Sequence, residues 1–173
     1  MSIYFKITDT LLDEIQQDLS RRHPFAFERV GFIACRVGKV ESDGSWVMLA
    51  SKYHPVEDDH YVEDYTAGAT IGSGAIRKMM QLAYDEPVSI VHVHEHPHRG
   101  VPGLSYTDDR EMNQLIPNFW HVRPNLPHAT VVLSKDSMCG FAWEPSSKQR
   151  LPIEDFTVVG APMRFVRREQ RYE

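Results

Sequence analysis

The stretch that most constrains this chain is 88–97, Val-Ser-Ile-Val-His-Val-His-Glu-His-Pro. Val88, Ile90, Val91 and Val93 form an apolar, β-branched run, a composition that favours a strand. His92, His94 and His96 take every second position, so a strand places them on one face, roughly 7 Å apart from one to the next. Pro97 has no N–H to offer a ladder and ends the strand. A Gly/Pro loop over 99–103 then leads to Ser105-Tyr-Thr-Asp108-Asp109, a capping-box pattern at the mouth of a helix predicted from about Thr107. Two imidazoles at a strand end, facing a carboxylate at a helix start, make an open metal site. Three N/O ligands with water in the fourth position is how catalytic zinc is held. The plainer alternative is three structural histidines and an ordinary cap.

Two other metal motifs are excluded. His94-Glu95-His96-Pro97-His98 spells H-E-x-x-H, but that zincin chemistry needs both histidines on one helical face. Pro97 and the β-branched run before it oppose a helix. A zinc deaminase needs a P-C-x-x-C partner motif, and Cys35 and Cys139 stand alone.

The 173 residues suit a single domain over 1–173 with a real core. An apolar fraction of 42%, a charged fraction of 25% and no apolar run of ~18 residues describe a globular chain with no membrane span. A net charge of −5 argues against a nucleic-acid surface. Two cysteines without metal spacing fit a reducing, cytoplasmic setting. The first residues carry acids where a secretion signal needs a basic and then an apolar stretch, so no leader is expected.

Elsewhere, Ile3, Phe5 and Ile7 predict a strand over 2–8. A helix to about Arg22 follows, with Leu11, Leu12, Ile15 and Leu19 as its buried stripe and Thr10-x-x-Asp13 able to cap it. His23-Pro24 breaks it, and 25–29 leads into a strand over 30–36 with Cys35 as a small buried hydrophobe. Asp43-Gly44 signals a hairpin to a strand over 46–56. The acidic stretch 57–72, with Tyr61, Tyr65 and five acids up to Asp64, reads as irregular. Ser73 is placed to cap a helix carrying Ile76, Met79, Met80 and Ala83 on one face. After the histidine strand come a helix with Met112, Leu115 and Ile116 inward, a loop over 117–127 and a hairpin of 129–134 with 138–143. The end holds one strand or a pair over 151–166 and a basic, solvated tail over 164–171. Interspersed strands and helices predict an α/β (α+β) fold, a mixed β-sheet flanked by helices.

Amide hydrolysis at a metal also needs a group that takes a proton from water and gives it to the leaving amine. Glu28, at the start of an apolar strand in Glu28-Arg-Val-Gly31, is the candidate. Ser105 is a candidate donor to the developing oxyanion.

Together these residues resemble the JAMM (MPN-domain) metalloprotease family. Its pattern of Glu-x-x-Gly, His-x-His-Pro and Ser-x-x-Asp is matched by Glu28-Arg-Val-Gly31, His94-Glu-His96-Pro97 and Ser105-Tyr-Thr-Asp108. The resemblance implies an MPN-like domain in which His94, His96 and Asp108 bind zinc, Glu28 is the general acid/base and Ser105 the oxyanion donor. One departure is visible: eleven residues separate His96 from Asp108, where the family usually has ten. Ten would put Thr107, a poor ligand, in place. The Ser-x-x-Asp spacing is set by one helical turn and a Gly/Pro loop absorbs an insertion, so Asp108 is preferred and Asp109 is the runner-up. His92 is expected to back the site or join the core, and His98 to lie in solvent.

The resemblance further implies an isopeptidase that removes a ubiquitin-like protein from conjugates or trims a precursor's tail. The compact length resembles stand-alone prokaryotic members, which occur beside ubiquitin-like conjugation machinery, including antiviral defence systems. The partner is then a ubiquitin-like protein or its conjugates, with the acidic stretch 57–64 as a docking surface for a basic tail. Two alternatives stand beside it, a metal-free MPN-type scaffold and a small-molecule amide hydrolase. The oligomeric state is open.

Overall fold

The computed structural model describes residues 1–22, 26–64 and 68–167. Its centre is the predicted histidine strand, β6 (Ser89–Glu95), buried along almost its whole length. On one side β6 pairs antiparallel with β2 (Val30–Lys39), and on the other parallel with β7 (His128–Leu133). Successive side chains of a strand point to opposite faces. Val91 and Val93 accordingly join one core cluster with Ile33 and Cys35 of β2, while Ile90 joins a second with Phe32 and Ala34. His92 and His94 share the face of Ile90, and the His92 ring stands edge-on to Phe32 at 5.7 Å.

Each face has its own helical cover. The first is closed by α1 (Asp9–Leu19), through Leu12, Ile15 and Leu19. The second is closed by α2 (Ser73–Asp85), through Ala75, Met79 and Ala83, and by α3 (Tyr106–Leu115), through Met112 and Leu115. Fully burying one of their leucine, isoleucine or methionine side chains is worth about 1.5–3 kcal/mol, so these stripes hold the layers together. Since α3 lies in the crossover between the parallel strands β6 and β7, its first turn returns to the carboxyl end of β6, on the histidine face.

The remaining strands extend the sheet on both sides. They are β1 (Ile3–Thr8), β3 (Trp46–Pro55), β8 (Met138–Trp143), β9 (Arg150–Pro152), β10 (Asp155–Val159) and β11 (Arg164–Arg167). Among the described residues the order is β11-β10-β1-β3-β2-β6-β7-β8-β9, a nine-stranded mixed sheet with three α-helices, as the α+β expectation requires. Cys35 is fully buried, and burial pushes its thiol pKa up. Among the described residues no helix is long and apolar enough to cross a membrane.

Several local expectations need correction. Thr8, not Thr10, caps α1: strand β1 runs straight into the helix, and Thr8 keeps extended backbone while its Oγ1 accepts from Leu11 N at 3.2 Å. The helix stops at Leu19, short of Arg22. Gly72, not Ser73, precedes α2, because Gly72 N bonds back to His60 O at 2.7 Å and holds that residue extended. The acidic stretch is not irregular. It forms a 3-10 turn (Asp58–His60) and a small hairpin of β4 (Tyr61–Val62) with β5 (Thr70–Ile71). The 117–127 loop opens as a 3-10 segment (Ile116–His121), since Ile116 and Phe119 bury together at the three-residue spacing of that helix. The C-terminal part holds three strands rather than one or two, because β9 and β10 find partners, β8 and β1, that local periodicity does not reveal. The basic tail begins as strand β11, with 168–171 outside the described residues, as are His23, Pro24, Phe25 and Tyr65.

One buried group makes stability pH-dependent. His128 Nδ1 accepts from Ile90 N at 3.0 Å, which puts the ring proton on Nε2, facing Arg123 O at 3.2 Å. Burial pushes its pKa down to about 4. The folded state therefore needs neutral His128, and the stability this contributes is complete above the unfolded value of ~6.5 and is lost as pH falls toward the folded one. His128→Gln, which can keep both hydrogen bonds, should flatten the loss of denaturant-measured stability between pH 6.5 and 4.5 by up to about 1.4 kcal/mol per pH unit. An unchanged slope would show that His128 does not titrate with unfolding.

Candidate metal centre

The site lies where β6 runs out. His94 pairs with Val30 and Val132 across the sheet, and His96 N still donates to Leu133 O at 2.8 Å. Pro97 follows and the ladder stops. His94 and His96 thus stand in succession on one face, their ring centroids 5.0 Å apart. His94 is 2% exposed, and neither of its ring nitrogens has a hydrogen-bond partner. A buried polar group without a partner is costly and demands an explanation.

The third group arrives on α3. Ser105 Oγ accepts from Asp108 N at 3.1 Å and Asp108 Oδ2 accepts from Ser105 N at 2.8 Å, the reciprocal capping box read from the sequence. The box aims Asp108 Oδ2 at both histidines, 3.7 Å from His94 Nε2 and 3.8 Å from His96 Nε2. These separations are too long for hydrogen bonds. They are close to the ~3.3 Å between two ligand atoms that each lie ~2.0 Å from a tetrahedral zinc.

The loop before α3 is pinned at Gly100. Gly100 adopts a φ of +87°, open to glycine at little cost. Its N–H donates to Asp136 Oδ1 at 2.8 Å, and its carbonyl accepts from the buried Ser134 hydroxyl at 2.7 Å. Asp109, the rival ligand, is drawn off by an ion pair with Arg150 on β9, whose guanidinium stacks on Phe141.

Glu28 reaches the same place from the other side. Its carboxylate, His94 and His96 form a group whose candidate ligand atoms all lie within 4.8 Å of one another. The Gly of Glu-x-x-Gly also has a physical reason. The Tyr53 ring crosses Gly31 so closely that a Cβ there would run into it, and Tyr53 Oη reaches on to Asp18 Oδ2 at 2.7 Å. His92 lies in the core, 4% exposed, and His98 lies in solvent with its Nδ1 against Arg99 O.

The charges suit a cation. Burial works against the Asp108 carboxylate, but His94 and Ser105 outweigh it and hold its pKa below the usual range, so it is ionised at neutral pH. Burial, aided by His94, lowers His96 toward the neutral imidazole a metal takes. Deeper in the strand, burial and His94 push His92 down to about 3. An unpartnered buried His94, His96 and two carboxylates, Asp108 and Glu28, near ligand spacing fit a divalent cation such as zinc.

Sequence reasoning missed Arg150, Ser134 and Asp136, which steer or pin the acidic ligand and the loop. It also missed Arg29, which is buried and binds Asp58 at 2.7 Å along with the carbonyls of Arg21 and Arg22. An arginine inside an apolar strand start was the one available signal. In comparisons with known proteins, no family model and no curated sequence matches the chain.

His94→Ala, His96→Ala and Asp108→Ala should each lose most of the zinc measured by elemental analysis after dialysis, because three ligands leave little redundancy. His92→Ala and Asp109→Ala should keep it. Metal lost from Asp109→Ala but retained by Asp108→Ala would reverse the placement of the loop insertion.

Proposed function

We propose that this chain is a zinc-dependent isopeptidase of the JAMM type, acting in the cytoplasm to release a ubiquitin-like protein from its conjugates or to process its C-terminus. The observation that carries the reading is the buried, unpartnered His94, surrounded by His96, Asp108 and Glu28 at ligand distances. A buried His94 with both ring nitrogens open favours a metal site over a metal-free scaffold.

His94, His96 and Asp108 would hold the ion. When bound, zinc would polarise the scissile carbonyl and acidify a water molecule. Glu28 takes a proton from the attacking water as its oxygen bonds to the carbonyl carbon. The resulting oxyanion accepts from the Ser105 hydroxyl, whose oxygen already serves the cap as acceptor and whose proton remains available. One such donor is worth roughly 3 kcal/mol in a preorganised site. As the C–N bond breaks, Glu28 returns the proton to the leaving lysine amine. An open cleft of about 780 Å³ reaches Glu28, Glu95 and Pro97, but it is lined mainly by the end of α1 and takes in none of His94, His96, Ser105 and Asp108, so it lies beside the site. Phe27 and Tyr106, neighbours in sequence of Glu28 and Ser105, are 73% and 85% exposed. The acidic stretch is a more limited docking surface than its composition implies, since Glu57 pairs with Lys78 and Asp58 with Arg29.

Glu28→Gln separates the roles. It should retain zinc, hold a ubiquitin-like conjugate linked through its C-terminal glycine, and cut it at least about a hundredfold more slowly. Loss of zinc in this variant would make Glu28 a ligand, and near-normal turnover would make it a bystander. A wild type with full zinc that leaves every ubiquitin-like conjugate intact while hydrolysing small amides would replace the isopeptidase with a small-molecule hydrolase.

A further inference from the structure

Glu28 lies outside the sheet. The ladder of β2 begins at Val30, opposite His94, so no strand partner fixes the two residues before it. The hairpin segment 58–71 takes that place. Asp58 binds the Arg29 guanidinium at 2.7 Å. Tyr61, a mostly buried side chain from β4, reaches Val30 with both functions of its hydroxyl, accepting from Val30 N at 2.9 Å and donating to Val30 O at 3.1 Å. Gly68 O accepts from both Phe27 N and Glu28 N, each at 2.9 Å. Four consecutive residues, 27–30, are therefore each tied to one short segment.

Gly68 does more than supply a carbonyl. A Cβ at this position would lie 2.9 Å from Glu28 Oε2 and 3.0 Å from Cδ. The Glu28 carboxylate thus occupies space that exists because residue 68 carries no Cβ. Among the described residues no side chain hydrogen-bonds that carboxylate, so its direction toward His94 and His96 depends on the backbone on which it sits and on that space.

We infer that Tyr61 and Gly68 are positioning residues for Glu28: Tyr61 fixes the start of β2 and Gly68 fixes both the backbone and the carboxylate of Glu28. The inference rests on the proposed acid/base role of Glu28. Any side chain at residue 68 displaces the carboxylate, and a misplacement of about 1 Å can cost on the order of a hundredfold in rate.

The test uses Gly68→Ala and Tyr61→Phe in the full chain, each alone and in the Glu28→Gln background. The substrates are a panel of ubiquitin-like proteins joined through the C-terminal glycine to a fluorescent lysine peptide. Each single variant should keep its zinc and KM while kcat falls at least about tenfold. In the Glu28→Gln background neither should cause a further loss, because both act through the group already removed. In the metal-free protein, amide hydrogen exchange at Val30 should quicken in Tyr61→Phe, while Gly68→Ala, which keeps the carbonyl that accepts from Phe27 N and Glu28 N, should leave exchange at those two amides unchanged and act through the carboxylate alone. Losses that add to that of Glu28→Gln, or unchanged exchange at Val30 in Tyr61→Phe, would overturn the inference and leave the isopeptidase standing. A zinc-loaded wild type that cuts no member of the panel would remove the reaction and the inference with it.

Discussion

Burial of β6 on both faces is the constraint on which the rest of the molecule depends. A strand sheltered by α1 on one side and by α2 and α3 on the other must hide every second residue in each layer. Val91 and Val93 satisfy one layer in the ordinary way. The opposite layer receives His92 and His94, polar rings in a place that favours hydrocarbon. His92 packs on Phe32 and stays neutral, though its Nδ1 too is buried without a partner. His94, with two unpartnered nitrogens, leaves a demand that only a group brought from outside the strand can meet.

The surroundings supply that group by separate routes. The crossover into β7 sends α3 back over the histidine face, and a capping box aims Asp108 at both rings. Arg150 takes the adjacent carboxylate out of competition. The loop between is pinned to the β7–β8 turn through Ser134 and Asp136. Glu28 comes from β2 and is held by the small hairpin rather than by the sheet. The candidate ligands and the acid/base candidate are thus mounted on different supports, so changes in one need not disturb the other.

The sequence carried a good part of this. Period-two alternation over 88–96 and the Pro after it are local signals, and they marked the strand, its buried faces and the histidine pair. Ser105-x-x-Asp108 is equally local, because a capping box closes within one helical turn. Glu28 was legible only through its company with the other motifs, since an acid before an apolar strand is common. The small corrections at Thr8 and Gly72 share one cause. Where a strand or loop enters a helix, the cap is the last residue with extended backbone, and composition alone does not say which residue that is.

Local sequence therefore carries the set of elements and the chemistry borne on single elements: imidazoles two apart on a strand, and a carboxylate one turn into a helix. Those follow from backbone periodicity, which acts over a few residues. Packing of the whole chain is what pairs β10 with β1 and brings Arg150 to Asp109. It also lays Tyr53 across Gly31 and brings Tyr61 and Gly68 to residues 27–30 from some thirty to forty residues away. These contacts depend on which faces meet once the layers have packed. That choice is made by burial and close fit across the whole chain, so no local stretch encodes it.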